Sequence, residues 1–326
     1  MNIDQPAIVA RDVVKQYRNG VAGAGLNGFN LRVSSGTVCG LLGPNGAGKT
    51  TAVRILTTLL RLDSGSAQVA GYDVTTQGRD VRERIGLVGQ DAALDAVLTG
   101  RQNLELFGRL YHLGPAAARR RALELLERFG LTAAANRPVG AYSGGMRRRL
   151  DLAASLIVAP RVLFVDEPTT GLDPAGRQEV WSAIRALVRD GATVLLTTQY
   201  LEEADQLADQ IVLLQAGMVA AEGTPAALKQ AIGADRLEVT LQQAADVATS
   251  LNIVRPLARG EVGVDPATRT LSIPTASGIQ GLLDVAALLR AQGIEPADLH
   301  LRRPSLDEVF LHFTRSPDAP AVLEAR

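Results

Sequence analysis

Cysteine is almost missing from this chain: Cys39 stands alone among 326 residues. One thiol builds neither an intrachain disulfide framework nor a cysteine zinc site. Its place in an apolar strand points to a buried, inert side chain, and a reducing cytoplasm suits it. A charge excess is missing too, since 34 Lys and Arg balance 34 Asp and Glu. No general attraction to nucleic acid is expected, so any polyanion must be met locally. Long apolar runs are also missing. The most apolar stretch, Leu150 to Val165, is broken by Asp151, Pro160 and Arg161, well short of the roughly twenty apolar residues that span a bilayer. Met1 to Arg11 lacks a basic segment followed by an apolar one, so no secretory signal is expected. What the chain does have is 46% hydrophobic residues, enough for the cores of about two domains.

The stretch Gly43-Pro44-Asn45-Gly46-Ala47-Gly48-Lys49-Thr50 follows the apolar run Thr37 to Leu42 and precedes a helical pattern from Lys49 to Leu60. Strand, glycine-rich loop and helix in that order make a phosphate cradle. Glycines let backbone N–H groups point inward, and the helix N-terminus adds positive partial charge. Lys49 then reaches β- and γ-phosphates, and the Thr50 hydroxyl is a ligand for Mg²⁺. Thr51 closes the expected nucleotide-binding set.

Before this loop, Ile8 to Tyr17 and Phe29 to Val33 read as strands joined by the glycine-rich connection Asn19 to Gly28. Tyr17 is either a base-stacking ring or an ordinary exposed strand-end tyrosine. After it come strand patterns at Ser66 to Val69 and Gly71 to Val74, a short helix at Arg79 to Arg84, and the strand Ile85 to Val88. Gln90 follows, either a polar amide for Mg²⁺ or the attacking water, or a plain loop residue. Asn103 to His112 and Ala116 to Phe129 read as helices, closed by Gly114 and Gly130. Their Phe107, Leu110, Tyr111, Leu123, Leu126 and Phe129 suit a core or an apolar groove for a partner.

Ser143-Gly144-Gly145 opens a further helix running to Ile157, as an anion site or as a simple N-cap. Arg147, Arg148 and Arg149 read as a solvated or ion-paired face. Val162 to Val165 is a buried-type strand ending in two carboxylates. Asp166 is placed to hold a Mg²⁺ shell, and Glu167 to deprotonate a water for attack on a γ-phosphorus. Asp173-Pro174 is the N-cap and first position of the next helix. The strand Thr193 to Thr197 leads to Gln199, and the helix Leu201 to Ala208 carries Glu202, Glu203 and Asp205 as a solvated face. Strands Ile211 to Leu214 and Met218 to Glu222 follow, then a helix started by Thr224-Pro225.

This constellation resembles the ATP-binding subunit of an ABC transporter over residues 6–233. The resemblance implies an α/β P-loop NTPase core with an antiparallel β subdomain and an inserted helical subdomain at about 94–158. It makes Gly43 to Thr50 the Walker A loop, Gln90 the Q-loop, Ser143 to Met146 the signature, Asp166 and Glu167 the Walker B pair with its general base, and Asp173 the D-loop. Tyr17 matches the adenine-stacking position. Met146-Arg147-Arg148-Arg149-Leu150-Asp151-Leu152-Ala153 and Thr197-Thr198-Gln199-Tyr200-Leu201-Glu202-Glu203-Ala204-Asp205 are similar to the daunorubicin/doxorubicin-resistance branch, which resembles this chain in having glutamine where the wider family has histidine. Glutamine bridges by hydrogen bonds but carries neither charge nor proton.

The family resemblance implies ATP and Mg²⁺ as cofactors, a head-to-tail dimer with a second copy, and an integral membrane permease subunit. It places the protein peripherally on the cytoplasmic face of the membrane. Amphipathic drugs are the expected cargo; a lipid, a glycan or an endogenous metabolite is the alternative. A soluble ATPase of DNA repair or ribosomes is disfavoured by the single motor, the neutral charge and the lack of zinc-ligand cysteines or a long coiled-coil insertion.

Residues 235–315 read as strand, helix, two strands, helix and strand, the βαββαβ order of a small ferredoxin-like α+β domain. A last helix begins at Ser305, with Glu308 completing a capping box. Its Leu306, Val309, Phe310 and Phe313 suit self-packing or a dimerisation or regulatory contact. Residues 316–326, with Pro317 and Pro320, are expected to be disordered.

Overall fold

The computed structural model describes residues 6–17, 25–89, 93–232, 235–275, 277–315 and 321–322. It divides into two compact units, Met1–Pro225 with Pro317–Arg326, and Ala226–Ser316.

In the first unit, β1 (Pro6–Gln16) and β2 (Gly25–Ser34) pair antiparallel and β3 (Val38–Leu42) runs into the glycine-rich loop and α1 (Lys49–Leu56). Thr58, at φ +65°, ends α1 earlier than the sequence pattern suggests. Strands β4 (Ser64–Val69) and β5 (Tyr72–Asp73) complete an antiparallel sheet in the order β2-β1-β4-β5. Next come α2 (Gly78–Arg82), β6 (Ile85–Val88), α3 (Gly100–Leu110), α4 (Pro115–Arg128), α5 (Gly144–Ser155), β7 (Val162–Asp166), α6 (Pro174–Arg189), β8 (Thr193–Thr198), α7 (Leu201–Leu207), β9 (Gln210–Gln215) and β10 (Met218–Gly223).

Strands β10, β9, β3, β8, β7 and β6 lie in that order in a second sheet, parallel except for the β9–β10 hairpin. Its central strands are buried on both faces. Along β7, Leu163 and Val165 pack into one core while Val162 and Phe164 pack into the other. That explains their unbroken apolar run, since a parallel strand covered on both sides has no solvent face to pattern. Cys39 is among the buried residues, and burial pushes its thiol far above the usual range.

Helices α3 and α4 cross closely where Gly108 meets Ala118. A Cβ on Gly108 would come within 2.8 Å of the Ala118 Cβ, so only glycine lets the two backbones approach. Leu126 and Phe129 enter the core and Phe107 packs partly against it, whereas Leu110, Tyr111 and Leu123 are exposed. Gly114 is the N-cap of α4 rather than the close of α3, whose C-cap is Tyr111.

In the second unit, α8 (Pro225–Ile232) precedes β11 (Arg236–Leu241), α9 (Asp246–Val254), β12 (Gly263–Asp265), β13 (Thr270–Pro274), α10 (Gly278–Ala291), β14 (Pro296–Arg302) and α11 (Leu306–Arg315). The sheet order β12-β13-β11-β14 is antiparallel throughout, the ferredoxin-like arrangement in which the two βαβ halves interleave. Leu237, Val239, Leu271 and Ile273 line its core against Val254, Val285 and Leu289. Ser305 and Glu308 form the capping box of α11. Ala321–Val322 form β15, pairing in parallel with β10 at the edge of the first unit's sheet. These two residues fall within the segment expected to be disordered, of which 316–320 and 323–326 lie outside the described residues.

Candidate active site

The parallel sheet brings the functional loops to one edge. Its register pairs Leu42 with Thr198, Asp166 with Thr197 and Val88 with Val165. The carboxyl ends of β3, β8, β7 and β6 therefore finish side by side, the position at which open α/β sheets receive ligands. Distant stretches of sequence meet there because of strand order alone.

At β3 the chain turns sharply. Gly43 has φ +155°, and a Cβ there would lie 2.3 Å from the Leu214 carbonyl oxygen. Gly48, at φ +109°, is the N-cap of α1 and would clash at 2.5 Å with Gly25 O. The Ala47 N–H donates to Pro44 O at 3.1 Å, while Pro44, Asn45 and Gly46 are exposed. Lys49 is buried and folds back across the loop, its Nζ donating to Gly43 O at 2.6 Å and Pro44 O at 3.1 Å. Burial lowers its pKa, opposed by the nearby charges of Glu167 and Asp166. Thr50 is exposed at the head of the helix, while Thr51 is buried and within 3.2 Å of the Tyr17 hydroxyl. Tyr17 is thus half exposed and tied beside the loop. Gln90 lies outside the described residues.

At β7, Asp166 accepts a hydrogen bond from Thr197 Oγ1 on the neighbouring strand. Glu167 adopts φ +46°, the left-handed region that costs a non-glycine residue about 1–3 kcal/mol. Its N–H donates to Thr197 O at 2.9 Å, and Thr170 Oγ1 donates to its Oε2 at 3.2 Å. Gln199 is exposed just past the end of β8.

Ser143 caps α5, its Oγ accepting from the Met146 N–H at 3.2 Å. Gly144 lines a cleft of about 420 Å³ together with Arg147, Arg148, Glu167, Pro168 and Thr170. Gly145 is buried, and a Cβ on it would meet the Gly176 Cα at 3.4 Å. Among the described residues no hydrogen bond joins Ser143 to the Gly43–Thr51 loop. Asp173 caps α6 through Gly176 N at 2.8 Å, with Pro174 in its first turn.

Two expectations fail. The three arginines are not one surface face: Arg147 is exposed, Arg149 donates to Phe129 O and pairs with Glu179, but Arg148 is buried. Glu203 is not solvated either; it is wholly buried, accepting from Thr169 Oγ1 at 2.9 Å and Trp181 Nε1 at 3.0 Å. Burial pushes its carboxyl above the usual range, against the opposing pull of Thr198, Trp181, Thr169 and Arg148. A helical signal for Glu203 was present, because it falls four residues before the buried Leu207. Asp151, three residues after Arg148, is buried with it, and burial raises its pKa to about 6 despite that guanidinium and the Ala93 N–H.

The family model described as ABC transporter matches residues 26–170. A daunorubicin resistance ATP-binding protein of Streptomyces coeruleorubidus is 56% identical over 312 residues, 96% of each chain. A daunorubicin/doxorubicin resistance ATP-binding protein of Streptomyces peucetius is 48% identical over 315 residues, 95% of this chain and 93% of the other. A solved dimer of an ATP-binding cassette in a post-hydrolysis state, bound to ADP and Pi, shares 26% identity at a TM-score of 0.60, covering 67% of this chain and 98% of that one. With a glycine-rich loop between β3 and α1, a paired carboxylate strand end and near full-length relatives of this kind, the chain belongs to the ABC transporter family as an ATP-hydrolysing, ATP-binding subunit.

Proposed function

We propose that this subunit hydrolyses ATP to drive a separate membrane permease that exports amphipathic drugs of the anthracycline kind. The observation that carries the chemistry is the grouping of Lys49, Asp166 and Glu167, whose charges interact at the sheet edge. The cargo reading is supported by the resistance relatives, which align with almost the whole chain.

The residues fit a nucleotide with a divalent cation. Exposed loop residues and the free end of α1 suit phosphate oxygens, and Lys49 exchanges its two loop carbonyls for β- and γ-phosphate contacts. Tyr17 stacks on the base. Thr50, Asp166 and Gln90 would hold Mg²⁺, which when bound neutralises charge on the β,γ-phosphate oxygens. Glu167 accepts a proton from a water as that oxygen bonds to the γ-phosphorus; the bond from phosphorus to the β,γ-bridging oxygen breaks and ADP leaves. Gln199 donates an amide hydrogen bond to the γ-phosphate.

Ser143 and Gly144 face the nucleotide of a second copy, so two chains close head to tail over two ATP molecules, and hydrolysis reopens them. The pairing is isologous. No helix among the described residues is long and apolar enough to cross a membrane, which suits a peripheral subunit on the cytoplasmic face. Purification of tagged Glu167→Gln protein in mild detergent with ATP and Mg²⁺ tests the assembly. A stoichiometric multi-span membrane protein is expected to co-purify; recovery with ribosomes or nucleic acid instead would sink the transporter reading.

A further inference from the structure

Arg148 grips the loop that carries Glu167 from behind. It projects from the second turn of α5, the helix that Ser143 opens, and is 7% exposed. Its Nη2 donates to Asp166 O at 2.8 Å and its Nε to Pro168 O at 2.9 Å. These are the carbonyls on either side of Glu167. Its Nη1 donates to Gly89 O at 2.6 Å and lies 3.4 Å from Asp151 Oδ2. Asp151 Oδ1 in turn accepts from Ala93 N at 3.3 Å. One buried pair therefore holds both the strand end at Glu167 and the two residues flanking 90–92.

Such a fork has a physical task here. Glu167 sits at φ +46°, and a left-handed glutamate persists only where its surroundings over-determine it. A planar guanidinium with several fixed N–H directions reaches three carbonyls at once, which a lysine ammonium on a flexible stem does not. Burying the charge is costly, and apolar side chains of similar volume often stabilise as well or better. Simple packing gives no reason for an arginine at this place.

We propose that Arg148 is a positioning residue: it holds Glu167 in its left-handed conformation and ties that carboxylate to α5, so that signature helix and general base move as one piece. The proposal rests on Glu167 being the base. Arg148 acts through the backbone on both sides of Glu167.

The test measures ATP affinity and single-turnover hydrolysis by the full-length chain carrying Arg148→Lys or Arg148→Ala. Misplacement of a reacting group by about 1 Å costs on the order of 100-fold in rate, so kcat is expected to fall by about that factor while the Kd for ATP stays unchanged. Because Arg148 lines the same cleft as Glu167, millimolar guanidinium is expected to restore turnover to Arg148→Ala, saturably. Full turnover in Arg148→Lys, or equal losses in ATP affinity and rate, overturns the proposal. Should Arg148→Ala not fold, the split between rate and affinity in Arg148→Lys decides alone. Active Glu167→Gln protein would instead refute the base assignment, a distinct failure.

Discussion

Replacing Glu203 by glutamine and by methionine separates a buried charge from a buried acceptor. Both changes remove the charge and nearly keep the volume, but only glutamine keeps an oxygen for the Trp181 N–H and the Thr169 hydroxyl. Each buried donor left unpaired costs roughly 1–3 kcal/mol, so Glu203→Met is expected to be about 2–6 kcal/mol less stable than Glu203→Gln. Trp181 is the chain's only tryptophan, so urea unfolding followed by its fluorescence reports on this contact directly. At about 2–4 °C per kcal/mol for a unit of this size, a melting curve resolves the difference. The pH dependence has a definite sign. The folded-state pKa is raised above the ordinary 4.5, so the native state holds this proton more tightly than the unfolded chain. The resulting stability is complete below pH 4.5 and is lost as pH rises through the raised value. Glu203→Gln should remove this part of the slope. A methionine variant as stable as the glutamine variant would refute the reasoning, because the two donors would then need no acceptor.

Glu167→Gln is expected to abolish ATP turnover and leave a stable ATP-bound dimer, detectable by size-exclusion chromatography with ATP and Mg²⁺, while Gln199→Ala slows turnover without abolishing it; unchanged hydrolysis in Glu167→Gln would end the assignment. Gly43→Ala should eliminate nucleotide binding in an equilibrium titration, since the new methyl would sit 2.3 Å from a backbone oxygen at φ +155°; native affinity would show that the loop relaxes freely. Tyr17→Ala should weaken ATP binding by about 1–3 kcal/mol, the usual worth of a stacked base, whereas Tyr17→Phe keeps most of the affinity and loses only the contact with Thr51; equal affinities in all three proteins would exclude stacking. Asp151→Asn should flatten the loss of stability between about pH 4 and pH 6, because the carboxyl is pushed up to about 6 and its folded-state advantage disappears as pH rises through that value; an unaltered pH–stability curve would contradict this.

Local chemistry was legible in the residues themselves. The glycines of Gly43 to Gly48, the caps at Ser143 and Asp173, the capping box at Ser305 and Glu308, and the double-faced apolar strand before Asp166 all act within a few positions of chain, where backbone sterics and short hydrogen bonds decide. The βαββαβ order beyond residue 235 was equally plain from periodicity. Only the tertiary structure decided which charges are buried. Arg148 sits between two arginines that reach solvent or a surface partner, and neither of them marks it; Glu203 follows a glutamate in the same first turn and is marked only by its helical spacing to the buried Leu207. Their burial comes from strands β6, β7 and β8 ending side by side, which brings Gly89, Asp166 and Pro168 around one guanidinium, and from α6 and the loop after β7 delivering Trp181 and Thr169 to one carboxylate. A buried charge is stable only where several distant donors or acceptors converge on it, and that convergence is a property of strand order rather than of any single stretch of chain.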